Sequence, residues 1–216
     1  MSFLQEVLGS KNISKVLHVG ADRGGELPTY RDMNVKQVVW VEANPEVYQE
    51  LLANLQRMAI DTVDSLTFNQ LITDQDDVET DFNLYYNWDA GYLVGNKGMS
   101  SIHKASENWW GASCYRGTIK LNSLTLDTFL DRNKLSNEFD LLNMDTQGAE
   151  LLISKGATKL LENVKYINSE VTFFSAQYHN NPLFDELYDY FKTFGFKHIK
   201  THMMDVNWGD AIFAKE

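Results

Sequence analysis

The sequence predicts an α/β fold, a mostly parallel β-sheet with helices on both faces and an antiparallel hairpin at its C-terminal end. Short apolar, β-branched runs alternate with helical segments along most of the 216 residues. Strands separated by helices pair in parallel, and right-handed crossovers place the helices on both faces. The last two strand segments are close together in sequence, which favours an antiparallel pair.

The first half of the chain supplies three strands and two helices. The strands are continuous apolar runs, as buried parallel strands are. Residues 44–46 open the second helix with a capping side chain, a proline and an acid near the positive end of the helix dipole. In chain order we predict a strand at 16–19, a helix at 26–33, a strand at 37–41, a helix that starts at 44 and a strand at 66–72.

The second half begins with a change of pattern. Residues 81–120 are rich in aromatic residues and glycine, and we predict a strand pair with a long loop, inserted into one domain that covers 1–216. Strands and helices alternate again after the insertion. The predicted elements are a helix at 126–130, a strand at 139–144, a helix at 149–161, a strand at 164–171, a helix at 183–194 and strands at 196–201 and 211–214.

Charge and composition narrow the classes of partner. The formal net charge is −11, which disfavours nucleic acid and anionic membranes and favours a small neutral or cationic acceptor. A single cysteine, Cys114, excludes an internal disulfide and a cysteine-based metal cluster. Without a signal-peptide pattern or an apolar run of membrane length, we expect a soluble, cytoplasmic protein.

A glycine-rich loop follows the first strand. In "HVGADRGGE", Gly20, Gly24 and Gly25 allow a tight turn and a close approach of the backbone to a ligand. The third position of the dinucleotide fingerprint is Asp22 here, whose carboxylate would repel a pyrophosphate. The same carboxylate suits an ammonium group, such as that of S-adenosylmethionine.

Two further acids follow strands at the same edge of the sheet. Glu42 lies about 20 residues beyond the loop, where an acid accepts hydrogen bonds from both ribose hydroxyls. Loop and acid together predict a nucleoside site. Asp74, in "LITDQDD", follows the third strand and either binds the adenine amino group or belongs to an acidic turn.

Five motifs occur in order along the chain: "HVGADRGGE", "VEANP", "MSSI", "LTLDTFL" and "FDLLNMDTQGAELLISKGATKLL". In these motifs the chain resembles the FkbM-like S-adenosylmethionine-dependent methyltransferases over roughly 16–171. This resemblance implies a seven-stranded class I methyltransferase sheet and methylation of a hydroxyl group on a sugar or another small metabolite. The cofactor contacts that it implies are Gly20, Ala21, Asp22, Glu26, Glu42, Ala43 and Ser101.

The chain departs from the family pattern at two positions. Asn143 replaces the usual lysine and Gln147 the usual glutamate, so one charge of each sign is absent. The loss weakens any mechanism that needs a carboxylate at 147, including metal binding there.

Asp145 is the main candidate for the chemistry, because it ends a strand at the ligand-binding edge of the sheet. We expect it to face the methyl donor and orient the acceptor, with Gln147 and Glu150 beside the acceptor. Glu150 also falls in the first turn of a helix, where an acid stabilises the helix dipole.

The hydroxyl proton needs a base or a metal. The candidate bases are His103, His179, Asp145 and Glu170. Asp145 and Glu170 could also hold a divalent cation, but two carboxylates alone are weak support, and we expect no metal.

The aromatic segment offers an acceptor site. Trp88, Tyr92, Trp109 and Trp110 either stack on a sugar or a cationic group or simply cover a core. Two alternatives to a methyltransferase stay open: a nicotinamide-dependent oxidoreductase, which shares the strand, loop and acid, and a cofactor-binding protein without catalysis.

Overall fold

The computed structural model describes residues 1–58, 62–87 and 97–215. It contains seven α-helices and ten strands within these ranges, and a short 3-10 helix at Trp110–Cys114. In chain order they are α1 Phe3–Leu8, β1 Lys15–Val19, α2 Leu27–Asp32, β2 Gln37–Glu42, α3 Pro45–Met58, β3 Asp64–Asn69, β4 Leu71–Ile72, β5 Val78–Tyr85, β6 Tyr115–Leu124, α4 Leu126–Arg132, β7 Leu141–Met144, α5 Glu150–Lys155, α6 Thr158–Asn163, β8 Tyr166–Thr172, α7 Phe184–Lys192, β9 Phe196–Met203 and β10 Trp208–Lys215.

Seven strands form the main sheet in the order β3-β2-β1-β7-β8-β10-β9. The first five strands in this order, β3, β2, β1, β7 and β8, are parallel to their neighbours. β10 is antiparallel to both β8 and β9. The mostly parallel sheet with a C-terminal antiparallel hairpin is therefore confirmed. Its strand order reverses between β1 and β7, and ligands bind at such a switch point in open α/β sheets.

Two apolar cores hold the helices on the sheet, one on each face. Side chains alternate along a strand, so Leu17 and Val39 belong to one core while Val16 and Val38 belong to the other. The first core contains residues of α4 to α7, and the second contains residues of α1 to α3. Because both faces are covered, β1, β2 and β7 are almost wholly buried.

A second sheet of three strands, in the order β4-β6-β5, stands beside the main one. β5 and β6 are the antiparallel pair predicted for 81–120. The single strand predicted at 66–72 is wrong, because the chain leaves the main sheet after Asn69 and pairs with β6 from Leu71. The side chain of Asn69 binds the backbone oxygen of Glu42 at 2.8 Å, and that of Gln70 binds the backbone oxygen of Asn122 at 2.8 Å. These two amides fix the turn between the sheets.

The helix predicted at 149–161 is also two helices, α5 and α6. They separate at Gly156, where an added Cβ would lie 2.5 Å from the backbone oxygen of Thr73. The backbone oxygen of Gly156 accepts a hydrogen bond of 3.0 Å from the amide of Asp127. This close approach to two other segments turns the chain between the helices.

No helix within 1–58, 62–87 and 97–215 combines the length and the apolar character needed to cross a lipid bilayer.

The aromatic cluster between α7 and the C-terminal hairpin gives a test of the fold. Phe213 is completely buried and its ring contacts those of Phe184, Tyr188 and Phe191. We expect Phe213→Ala to lower the free energy of unfolding by about 3–5 kcal/mol, because it removes these contacts and leaves a cavity. Val206 is 80% exposed, and Val206→Ala should change the free energy of unfolding by less than about 0.5 kcal/mol. Urea unfolding curves of the two variants measure both values, and similar stabilities would contradict this packing.

Candidate functional site

A cavity of about 380 Å³ opens at the carboxyl ends of β1, β2, β7 and β8. We refer to it as the crevice. It lies at the switch point of the main sheet, as expected for a ligand site in this fold. Polar side chains reach it from four strand ends, and apolar and aromatic side chains form its walls. The polar lining includes Asp22, Glu42, Asp145, Gln147, Glu170 and Gln177, and the apolar lining includes Val41, Val47, Leu71, Ile72 and Phe82.

Gly20 lets two of these strand ends meet. Its φ of +79° is in the left-handed region, and a Cβ there would lie 1.9 Å from the backbone oxygen of Asp145. The amides of Gly20 and Ala21 both donate to the backbone oxygen of Val41, at 2.9 and 3.1 Å. The glycine loop is thus attached to β2 on one side and touches the end of β7 on the other. Ala21 is buried beneath the loop.

Glu42 is buried at the end of β2 and holds two loops together. Its Oε2 accepts a hydrogen bond of 3.0 Å from the amide of Asp22, and its Oε1 accepts one of 2.8 Å from the amide of Asn44. Burial raises the pKa of Glu42 to about 8, although both hydrogen bonds act in the opposite direction. Glu42 and the adjacent Ala43 line the crevice, and their contacts with a cofactor stay predictions.

Asp22 carries an unsatisfied acceptor at the same place. Its Oδ1 is buried and accepts no hydrogen bond within the described residues. A buried acceptor without a donor costs free energy that a donor from a ligand would recover. Asp22 lines the crevice, so its position suits the predicted contact with an ammonium group.

The turn after β7 is held in an unusual backbone conformation. Gln147 has a φ of +55° and Gly148 a φ of +95°, so two successive residues are left-handed. The Oε1 of Glu150 accepts hydrogen bonds of 2.9 Å from both the amide and the hydroxyl of Thr146. The carboxylate of Glu150 therefore stabilises this turn, and it does not line the crevice.

The side-chain amide of Gln147 joins two acids. Its Nε2 donates to the Oδ1 of Asp145 at 2.6 Å and to the Oε2 of Glu170 at 2.9 Å. Its Oε1 accepts from the hydroxyl of Tyr178 at 3.1 Å. All four polar groups therefore have fixed positions relative to one another. Within the described residues no group of three or more side chains could hold a metal ion.

Asp145 and Glu170 lie close enough for each to affect the pKa of the other. Desolvation raises the pKa of Glu170 well above its usual range, and the charge of Asp145 raises it further. Desolvation also raises the pKa of Asp145, whereas hydrogen bonds from Glu170 and Gln147 lower it. The charge of Asp145 therefore opposes the ionisation of Glu170.

Several predicted site residues lie outside the crevice lining. Ser101 is buried and its hydroxyl donates to the backbone oxygen of Gln147 at 2.7 Å, which attaches the "MSSI" segment to the turn. Glu26 is partly exposed, with an oxygen 4.0 Å from the Nδ1 of His18. Asp74 follows β4 in the second sheet and lies beside Gly156. Their predicted contacts with a cofactor stay predictions.

The two predicted histidine bases also lie outside the lining. His179 is at the surface, and its Nε2 lies 3.3 Å from a carboxylate oxygen of Glu107. His103 is half-buried, and its Nε2 has no hydrogen-bond partner within the described residues. Of the four candidate bases, Asp145 and Glu170 line the crevice.

Among the described residues, three tryptophans line the crevice: Trp109, Trp110 and Trp208. The ring of Trp109 packs against Tyr178, with centroids 5.0 Å apart, and against Trp110, with centroids 5.5 Å apart. Trp110 is 61% exposed. The predicted Trp88 and Tyr92 lie outside the described residues.

The two departures from the family pattern belong to different networks. Asn143 is buried within β7, where it donates to the hydroxyl of Tyr30 at 2.8 Å and accepts from Asn168 at 2.7 Å. Gln147 bonds to the acid pair in the crevice. Each amide is thus satisfied by its own neighbours.

Sequence reasoning did not identify Trp208 and Tyr178. Because β10 is antiparallel, its first residue lies beside the last residue of β8, at the edge where the parallel strands end. A hairpin that starts with an aromatic residue could therefore have indicated Trp208. Tyr178 lies in a loop, and no local pattern in the sequence signals its contact with Gln147.

Comparison with known proteins gives one family match. The model of the methyltransferase FkbM domain matches residues 18–198. The matched family transfers methyl groups, which disfavours the nicotinamide-dependent alternative. No curated protein matches the chain.

Solved structures of several methyltransferases are similar to the chain. A methyltransferase FkbM from Methylobacillus flagellatus KT has a TM-score of 0.59 at 13% identity and covers 94% of the chain, which spans 43% of that protein. Magnesium protoporphyrin IX methyltransferase from Synechocystis PCC 6803 with bound SAH has a TM-score of 0.55 at 8% identity. The match covers 99% of the present chain and 80% of that protein. Sp1610 from Streptococcus pneumoniae, a proposed tRNA (m1A22) methyltransferase in complex with S-adenosyl-L-methionine, has a TM-score of 0.52 at 12% identity. The match covers 100% of the present chain and 73% of that protein. At these identities the likeness concerns the fold.

Two glycines of the loop provide a matched test of the crevice. Gly20→Ala should lower the free energy of unfolding by more than about 2 kcal/mol, because the new Cβ meets backbone and the backbone is left-handed. Gly25 is exposed, and a Cβ added to it would have no other atom within 4 Å. Gly25→Ala should therefore change the free energy of unfolding by less than about 0.5 kcal/mol. Thermal or urea unfolding measures both. A harmless Gly20→Ala would contradict the close approach to Asp145.

Proposed function

The chain belongs to the methyltransferase FkbM family, and on that basis we propose that it transfers a methyl group from S-adenosylmethionine to a hydroxyl group of a small acceptor. The observation that carries the proposal is the pairing of Asp22 and Glu42 around the glycine loop. One acid offers an acceptor for an ammonium group and the other for a ribose diol, and both line the same crevice.

The residues of the crevice fit the proposed cofactor in three respects. The unsatisfied Oδ1 of Asp22 calls for a donor. Any Cβ at position 20 would clash with the backbone oxygen of Asp145, so the loop packs closely against the end of β7. The walls near Leu71, Ile72 and Phe82 are apolar, as a purine ring requires.

Asp145 and Glu170 are proposed to act on the acceptor. S-adenosylmethionine supplies the methyl group when it is bound. Asp145 orients the acceptor hydroxyl and accepts its proton as the oxygen is methylated, because its raised pKa makes it a stronger base than an ordinary aspartate. Gln147 keeps Asp145 at a fixed position, so that the hydroxyl oxygen is aligned for displacement at the methyl carbon. The predicted roles of His103 and His179 as bases stay alternatives.

The acceptor is proposed to be a small molecule. The net charge of −11 opposes contact with a phosphate backbone. Trp109, Trp110 and Trp208 in the crevice lining suit a ring or a small organic group.

Glu42→Gln tests the ribose contact. The variant should bind S-adenosylhomocysteine about 5- to 150-fold more weakly, the range for loss of a charged hydrogen-bond partner. Glu162 is exposed at the end of α6, near the opposite edge of the sheet, and Glu162→Gln is the matched control that should bind like the parent protein. Titration calorimetry measures the three dissociation constants. Equal affinities would remove Glu42 from the cofactor site.

The pH dependence of binding tests the same contact. The pKa of Glu42 is about 8 in the free protein, and ribose hydroxyls donate to its ionised form. Binding therefore favours the deprotonated carboxyl, so affinity for S-adenosylhomocysteine should rise between about pH 6.5 and 8.5 and level off above that range. The rise should be absent in Glu42→Gln. Affinity that falls over this range in the parent protein would contradict the assignment.

Asp145→Asn tests the chemistry. Formation of S-adenosylhomocysteine with a panel of hydroxyl compounds should fall by about 100-fold or more, because the variant loses the base. Binding of S-adenosylhomocysteine should change by less than about threefold. Asp81→Asn is the control, since Asp81 is exposed and paired with Lys120 at 2.7 Å. An active Asp145→Asn would exclude Asp145 as the base, and binding without turnover in the parent protein would favour a non-catalytic role.

A further inference from the structure

More acidic than basic side chains line the crevice. Among the described residues, four carboxyl groups and one basic side chain, that of Lys97, line it. The Nζ of Lys97 is already paired, 3.0 Å from Glu46 and 2.9 Å from Glu50, which lie outside the lining. In the proposed function S-adenosylmethionine engages Asp22 and Glu42, so Asp145 and Glu170 are left to face the acceptor.

Acidic side chains lie close together after β7, near the end of β8 and near the start of β10. Glu170 on β8 lies opposite Asp210 on β10. Directly opposed residues of an antiparallel pair point to the same face of the sheet. Asp210 is half-buried, and its opposite neighbour on β9 is His202. Glu170 therefore has a carboxyl group on either side, Asp145 and Asp210.

Aromatic rings lie on the same side of the sheet. Trp208 precedes Asp210 by two residues and so shares its face. It lines the crevice together with the Trp109 and Trp110 pair. Indole faces attract cations, most strongly where a carboxylate is close by and water is displaced. A neutral acceptor would pack on these rings but would form no ion pair with the acids of the crevice.

We infer that the acceptor is a small cation in which a hydroxyl group neighbours a protonated amine, as in an amino alcohol or an amino sugar. This inference rests on the proposed function. Glu170 holds the ammonium group, the tryptophans enclose it, and the neighbouring hydroxyl faces Asp145. Glu170 is then the residue that selects the cation over a neutral compound of the same shape.

A change of protonation accompanies this binding. In the free protein burial and the neighbouring charge of Asp145 raise the pKa of Glu170 and so favour its protonated form. An ammonium group favours the ionised carboxyl, so the proton of Glu170 leaves to solvent when the cation binds. Asp145 stays charged and available to accept the hydroxyl proton during methyl transfer. A cation therefore releases a proton on binding, and a neutral compound releases none.

Titration calorimetry tests the inference on the protein saturated with S-adenosylhomocysteine. Two matched pairs separate the two sources of the amine: glucosamine against glucose, and ethanolamine against ethylene glycol. In at least one pair the cation should bind about tenfold or more tightly than its neutral partner, the ratio for one charge-assisted hydrogen bond. Repeating the titration in buffers with different ionisation enthalpies measures the proton that is released.

Variants assign the selectivity to Glu170. Glu170→Gln keeps the size of the side chain and should reduce the ratio within the favoured pair below about threefold, with no proton released. Glu162→Gln makes the same chemical change at the opposite edge of the sheet and should leave the ratio unchanged. The proton count in the parent protein tests the inference even if Glu170→Gln fails to fold.

The outcomes separate the inference from the proposed function. If S-adenosylhomocysteine binds but neither pair shows a preference for the cation, the inference is wrong and the proposed function stands. If the preference survives Glu170→Gln, Glu170 does not select the acceptor and the inference is overturned. If S-adenosylhomocysteine does not bind, the proposed function fails and the inference falls with it.

Discussion

The contact between Gly20 and the backbone of Asp145 determines where this protein can bind a ligand. Only a residue without a Cβ allows the loop after β1 to touch the end of β7. The same loop is attached to β2, because the amides of Gly20 and Ala21 both donate to Val41. Three strand ends are therefore held around one crevice, and the acids that follow β1, β2 and β7 line it together.

This arrangement places several carboxyl groups in an environment that opposes their ionisation. Burial raises the pKa of Glu42 and desolvation raises that of Glu170. The protein limits the cost through specific donors: two backbone amides for Glu42, and the side-chain amide of Gln147 for the acid pair. Gln147 itself has a left-handed backbone, a conformation that costs free energy in a residue other than glycine. Such costs are typical of a binding site, where a ligand recovers what the free protein lacks.

The sequence predicted the sheet well because buried parallel strands are continuous apolar runs with helices between them. It was less informative where contacts with distant segments end a helix or a strand, as at Gly156 and after Asn69, since local patterns do not record such contacts. Helix α1 was missed although Ser2 and Gln5 form a capping box. At the site, acids that end strands, such as Glu42, were found because parallel strands share one edge. Partners supplied by loops, such as Tyr178, carry no periodic signal.

A crystal structure of the protein with S-adenosylhomocysteine would test the account most directly. Both ribose hydroxyls should lie within hydrogen-bond distance of Glu42, the amino group should face Asp22, and the sulfur atom should border the space in front of Asp145. A ligand bound elsewhere, or bound in the crevice with its ribose away from Glu42, would contradict it.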